Sequence, residues 1–70
     1  MTKREALAEA RRRWGRFAEL HCTDAVSQII YGVFAPVETA PNQYHMRLQG
    51  RGYTWAEAFA DADRRDAHGD

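Results

Sequence analysis

The sequence predicts a small α+β domain of order α-β-β-α, with two helices packed on one face of an antiparallel β-hairpin. Apolar residues recur at helical spacing near both ends, and a middle segment alternates between apolar and polar residues. A polar, proline-bounded loop precedes that segment. We expect one domain over residues 1–70, with 66–70 as a frayed tail.

The first helix is predicted to run from Thr2 to about Leu20. Thr2 and Glu5 have the spacing of a capping box, in which each side chain satisfies a backbone N–H of the other residue. Gly15, inside this helix, is expected to weaken it by up to about 1 kcal/mol. One side of the helix carries glutamate and arginine, and the other is apolar. The apolar stripe comprises Leu7, Ala10, Trp14, Phe17, Ala18 and His21.

The hairpin is predicted from residues 44–49, whose apolar and polar side chains alternate as in a half-buried strand. A strand needs a partner for its backbone N–H and C=O groups. The apolar segment 27–34 can supply it, across the loop Pro36–Asn42. Residues 25–35 also fit a helix by their spacing, so the alternative is a second helix over 24–35, with the strand pairing across a dimer.

The second helix is predicted from Trp55 to about Arg65. Gly50-Arg51-Gly52 is predicted to form a tight turn at the end of the strand, and Thr54 and Glu57 repeat the capping-box spacing. The apolar stripe of this helix comprises Trp55, Ala58, Phe59 and Ala62, and its alanines allow close approach to a sheet.

The composition predicts a thin core that needs a partner. Apolar residues make up 44% of the chain, but 12 of them are alanine and only 18 are large. Small domains are commonly stapled by disulfides, metals or oligomerisation. A single cysteine allows no internal disulfide, so we expect a protein partner, with a homodimer as the simplest form. The net charge is zero.

No catalytic or metal-binding constellation emerges from the sequence. Cys22, His21 and Asp24 are neighbours at the end of the predicted first helix, which rarely gives the geometry of an activated thiol. The three histidines, His21, His45 and His68, lack metal-ligand spacing. We expect a protein that is not an enzyme, with no cofactor, metal or small-molecule substrate. With neither a membrane span nor an export signal, a lone cysteine indicates the cytoplasm.

Two surfaces are candidates for binding. Two strands and two helices leave one sheet face uncovered, which predicts a protein interface on that face or along an edge strand. Its candidate residues are Tyr31, Phe34, Tyr44, Arg47 and Arg51. The alternative is a nucleic-acid interface on the first helix, formed by Arg11, Arg12, Arg13 and Arg16. Glutamates share that helix surface, which favours a solvated mixed-charge helix.

The segment 50–62 resembles the last strand and helix of double-stranded RNA-binding domains. That family shows G-x-G-x-S-K-K-x-A with further alanines on the helix. The residues that match are Gly50, Gly52, Thr54, Ala58 and Ala62. The resemblance implies similar strand–helix packing. The two phosphate-binding lysines of the motif are replaced by Trp55 and Ala56, and we expect no room for that family's third strand.

The chain as a whole resembles small phage and prophage accessory proteins, anti-CRISPR proteins among them. The resemblance lies in its size, its Ala/Arg/Asp-rich composition and the ending W-x-E-A-F-A-D-A-D from Trp55 to Asp63. It implies a non-enzymatic protein that binds and inhibits a host bacterial protein.

Overall fold

Three antiparallel strands and two helices make up the fold in the computed structural model, which describes residues 1–67. The elements are α1 (Lys3–Trp14), β1 (Glu19–Ala25), β2 (Gln28–Ala40), β3 (Gln43–Gly52) and α2 (Trp55–Ala67), and the strand order is β1-β2-β3. The predicted α+β class is confirmed, with three strands in place of two. The predicted tail 66–70 begins inside α2, and its residues 68–70 lie outside the described part.

Helix α1 begins as predicted but ends six residues early. The Thr2 hydroxyl accepts from the Glu5 N–H at 3.1 Å, and the Glu5 carboxylate accepts from the Thr2 N–H at 2.7 Å, so the capping box is present. Gly15 caps the other end with φ of 93° and donates its N–H to the Arg11 carbonyl at 2.8 Å. The prediction of helix to Leu20 is wrong, because this glycine adopts a backbone conformation that ends the helix.

The segment after α1 forms the additional strand. β1 pairs with β2 from Glu19 opposite Phe34 to Ala25 opposite Gln28. Almost every residue of β1 is exposed, so the strand carries no hydrophobic pattern that sequence periodicity could detect. The expectation that the chain has no room for a third strand is therefore wrong.

The β2–β3 hairpin is confirmed and is longer than predicted. β2 continues through most of the expected loop Pro36–Asn42 to Ala40, and a two-residue turn at 41–42 follows. Pro36 is tolerated because the pairing of β2 with β1 does not extend beyond Phe34. This part of β2 therefore has a neighbouring strand on one side only. The alternative of a second helix over 24–35 is wrong.

Both helices pack on the same face of the sheet. The predicted stripe of α2 is buried in full, and Val33 at the centre of β2 is completely inaccessible. α1 contributes Ala6 and Ala10 to this core, and its Trp14 stacks on Phe59 of α2 with ring centroids 6.0 Å apart. Phe17, predicted to face inward, is 64% exposed because it follows the helix end. Neither helix within residues 1–67 has the length and apolar run that a bilayer crossing requires.

Candidate binding surface

Within the described residues 1–67, neither helix covers the second face of the sheet. We call it the open face and define it by the residues that alternate away from the core. These are Glu19, His21 and Thr23 of β1, Ile30, Gly32, Phe34, Pro36 and Glu38 of β2, and Tyr44, Met46, Leu48 and Arg51 of β3.

A β-bulge at Gln49 decides which β3 side chains reach this face. Val33 pairs with Gly50 and Phe34 with Leu48, so Gln49 is an extra residue in β3. Strict alternation would place Leu48 and Gly50 on the same side of the sheet. The bulge instead puts Gly50 under α2 and Leu48 on the open face, together with the residues that alternate with it.

An apolar strip runs along the middle of the open face. Tyr44 and Met46 are 63% and 38% exposed, and Ile30, Phe34 and Leu48 are partly exposed. These five side chains, in neighbouring strands, form the strip. A shallow hollow of about 240 Å³ lies beside the strip, with Gly32 at its floor. A Cβ at this residue would lie 3.1 Å from the Phe34 ring, so the absence of a side chain keeps the hollow open.

Charged and polar groups border the apolar strip. The His21 ring meets Phe34 edge-on with centroids 4.7 Å apart and lies 3.1 Å from the Glu19 carboxylate. The Tyr44 hydroxyl donates to the Glu38 carboxylate at 3.1 Å near the hairpin turn. Arg51 borders the hollow at the other end. The face therefore combines an apolar centre with a polar rim, as protein interfaces do.

Three of the five predicted partner-binding residues lie on the open face: Phe34, Tyr44 and Arg51. Tyr31 lies on the opposite face, where its ring meets Trp55 edge-on with centroids 4.7 Å apart. Arg47 pairs with Ala35, which is buried on the helix side, so Arg47 belongs to that side as well. Sequence reasoning did not assign Ile30, Met46 and Leu48 to the surface.

The arginines of α1 are largely engaged with carboxylates and aromatic rings. Arg12 and Arg13 both bind Glu9, and Arg13 also binds Asp63 of α2 at 2.9 Å. The Arg13 guanidinium lies 4.9 Å from the centroid of the Phe59 ring, and that of Arg16 lies 4.9 Å from the exposed Phe17 ring. Arg11 is exposed. Two of the four predicted phosphate-binding side chains are therefore neutralised within the molecule.

The ion pairs of Glu9 with Arg12 and Arg13 predict that the stability of the fold depends on pH. Hydrogen bonds from Arg12 and then Arg13 lower the pKa of Glu9 from 4.5 to about 2. Because the pKa is lower in the folded chain, ionised Glu9 stabilises the fold above its ordinary pKa, and this contribution is lost as pH falls toward 2. A carboxyl NMR titration should show the Glu9 midpoint near 2.

Two substitutions in α1 test whether the Glu9–Arg12 contact, and not the positive charge of the helix in general, lowers the pKa of Glu9. Arg12→Gln should move the Glu9 midpoint upward, because it removes the largest cause of the lowered pKa. Arg11→Gln, which removes the same charge from a neighbour that does not bind Glu9, should leave the midpoint in place. An ordinary midpoint in the unmodified chain would contradict the paired geometry.

The three residues weighed for catalysis are now separated by strand geometry. His21 lies on the open face, whereas Cys22 and Asp24 alternate to the opposite side of β1. Cys22 is exposed and unpaired with any other cysteine. Within residues 1–67 no three His, Cys, Asp or Glu side chains are grouped as metal ligands, and His68 lies outside the described residues.

In comparisons with known proteins, the chain matches no protein-family model and finds no significant match among curated proteins or solved structures.

Proposed function

We propose that the chain is a non-enzymatic protein–protein interaction module whose binding surface is the open face and whose first partner is a second copy of itself. The apolar strip is the observation that carries this proposal. Among residues 1–67, the buried apolar side chains other than Val33, Trp55 and Phe59 are alanines, while five larger side chains lie on a face that these residues do not cover. Each Å² of apolar surface removed from water is worth about 25 cal/mol, so covering this strip contributes favourably to association.

The elongated shape supports the same proposal. The molecule measures 40 × 26 × 22 Å, because the β2–β3 hairpin extends past the end of β1 as a two-stranded arm. Its radius of gyration of 12.3 Å exceeds the value of about 11 Å typical of a compact chain of this length. Two-stranded hairpins are only marginally stable in water. A partner that covers the arm would stabilise it.

In its more specific form, the module is a phage-type inhibitor that acts in the bacterial cytoplasm by binding a host protein. Resemblance in size and composition supports this form, and the exposed free Cys22 is compatible with a reducing compartment. In a dimer formed through the open face, the helix surfaces stay accessible for the host protein.

Nucleic-acid binding by the arginines is the alternative, and the geometry favours it less. It would need Arg47 and Arg51 of the hairpin to converge with the arginines of α1. Arg47 lies on the helix side of the sheet and Arg51 on the open face, and Glu9 and Asp63 neutralise part of the α1 cluster. A phosphate backbone binds best to a concentrated positive field.

Leu48→Glu is expected to abolish self-association. It places a carboxylate in the centre of the apolar strip, and burying an unpaired charge there should weaken the dimer roughly a hundredfold or more. Light scattering across a micromolar concentration series measures the effect. The unmodified chain should approach twice its mass of 8.0 kDa, whereas Leu48→Glu should remain at 8.0 kDa.

Val26→Glu is the matched control, because it introduces the same charge at a fully exposed residue in the β1–β2 turn. It should associate like the unmodified chain. A chain that stays monomeric at every concentration, or a Leu48→Glu variant that still dimerises, contradicts the proposal. Affinity capture from bacterial lysate tests the host-binding form, with the unmodified chain and the two variants as bait. This form predicts that both variants retain the host protein that the unmodified chain binds.

A further inference from the structure

We infer that two copies stack open face to open face and end for end, so that Arg51 of each lies against Glu38 of the partner subunit. This inference rests on the proposed function and specifies the partner's orientation. Homodimers are most often two-fold symmetric, with the same patch used by both copies. A two-fold axis between stacked sheets can run along the strands or across them, and the charges of the open face distinguish the two.

Arg51 and Glu38 lie at opposite ends of the open face, and the other acidic residue of this face, Glu19, lies beside Phe34 at the β1 edge. Arg51 pairs across the strands with Gly32, and Glu38 pairs with Tyr44. Gly32 and Glu38 are six residues apart on β2, which corresponds to about 20 Å at about 3.3 Å per residue. Leu48 and Met46 lie between these two ends.

An axis along the strands would bring like charges together. Residues that lie opposite each other on neighbouring strands form a row across the sheet. This axis places each row over the same row of the partner subunit, so Glu38 would face Glu38 of the partner subunit. It also places β1 over β3, so Arg51 would meet the His21–Glu19 pair of the partner subunit and would leave Glu38 without an opposite charge. Like charges in an interface with little water are unfavourable.

An axis across the strands brings opposite charges together. It reverses the order of rows and places β3 over β3, so Arg51 meets the Tyr44–Glu38 pair of the partner subunit at each end. In the middle, Phe34 and Leu48 lie against Pro36 and Met46 of the partner subunit, so the apolar strip covers itself. This arrangement pairs Arg51 with Glu38 at both ends and covers the apolar side chains between them.

The chain exposes more surface than a compact monomer of its mass, which leaves enough area for an interface of standard size. Its accessible surface is 5226 Å², whereas a monomeric protein of 8.0 kDa typically exposes about 4,450 Å². The excess of roughly 800 Å² is close to the area that each partner buries in a standard-size interface. Stacked sheets of this kind pack about 10 Å apart.

A charge-swap cycle tests the orientation through the dimer dissociation constant, measured by analytical ultracentrifugation. Glu38→Arg and Arg51→Glu should each weaken the dimer roughly tenfold or more, because each creates two like-charge contacts. The double variant should return to within about threefold of the unmodified chain, since the pairs re-form with reversed sign. Tyr44→Phe controls for the lost Tyr44–Glu38 hydrogen bond alone and should weaken the dimer less than Glu38→Arg.

The outcomes separate this orientation from the proposed function. If the double variant weakens the dimer by as much as the two single variants together, or by more, the end-for-end orientation is wrong. If Leu48→Glu is monomeric in that case, the open face remains the interface. If Leu48→Glu still dimerises, both the orientation and the proposed surface are wrong. Circular dichroism of every variant should match that of the unmodified chain, which excludes loss of folding as the cause.

Discussion

Gly50→Ala should destabilise the fold by about 3 kcal/mol or more, at the upper end of the usual cost of overpacking. A Cβ at residue 50 would clash with the Ala58 carbonyl oxygen and lie 2.7 Å from the Ala62 nitrogen and 2.9 Å from its Cβ. Two of these three atoms belong to the backbone of α2, so no side-chain rotation relieves the contact. The helix would have to move away from β3.

The expected loss is large for this chain. A domain of 70 residues typically has a folding free energy of about 3.5–10 kcal/mol, so Gly50→Ala should leave a substantial unfolded fraction. Chemical denaturation followed by circular dichroism measures the change. Gly52→Ala should behave similarly, because its Cβ would lie 2.5 Å from Glu57 Cβ and 2.9 Å from the Ala58 nitrogen.

Gly32→Ala provides the matched control. Its Cβ would meet only the ends of side chains, at 3.1 Å from the Phe34 ring and 3.5 Å from a Leu48 methyl group. Both side chains lie on the open face and can move, so the cost should be well below that of Gly50→Ala. Equal losses for the two variants would contradict the close approach of α2 to β3.

Gly50 and Gly52 also show what the sequence could reveal. The Gly-x-Gly spacing was interpreted as a turn, yet both residues belong to β3 and lie where α2 crosses it. The start of α2 and its buried stripe were predicted correctly, because the capping spacing and apolar periodicity agree. By contrast, β1 has no alternation, since almost all of its residues are exposed. Only its pairing with β2 reveals it.

The candidate site was predicted in part for a similar reason. Alternation over residues 44–49 correctly predicted a strand, and an uncovered sheet face was expected. The bulge at Gln49 then places the apolar side chains of that strand on the open face and the glycines under the helix. A bulge depends on the register between two strands, which the period of one strand does not contain. Tyr31 and Arg47 were assigned to the wrong face for another reason. Tyr31 is three residues from Phe34 and Arg47 is three residues from Tyr44, and residues an odd number apart on a regular strand lie on opposite faces.

The contact between the helices predicts the second large effect. Phe59→Ala should cost about 3–5 kcal/mol, the usual range for truncating a buried aromatic side chain. Phe59 is 4% exposed, stacks on Trp14 and lies under the Arg13 guanidinium. Arg13 in turn joins Glu9 of α1 to Asp63 of α2. The Phe59 ring therefore contacts both α1 side chains, Trp14 and Arg13, that connect the two helices.

Because α1 otherwise contributes only two small alanines to the core, the loss should be uneven along the chain. Hydrogen exchange in Phe59→Ala should accelerate more in α1 than in the β2–β3 ladder, which keeps its own backbone pairing. Phe17→Ala removes the same ring from an exposed residue and should change stability by less than about 0.5 kcal/mol. Equal effects at the two phenylalanines would mean that α1 continues past Gly15 and buries Phe17. A large loss at Phe59 alone would place the junction of the helices at the Trp14–Phe59 stack.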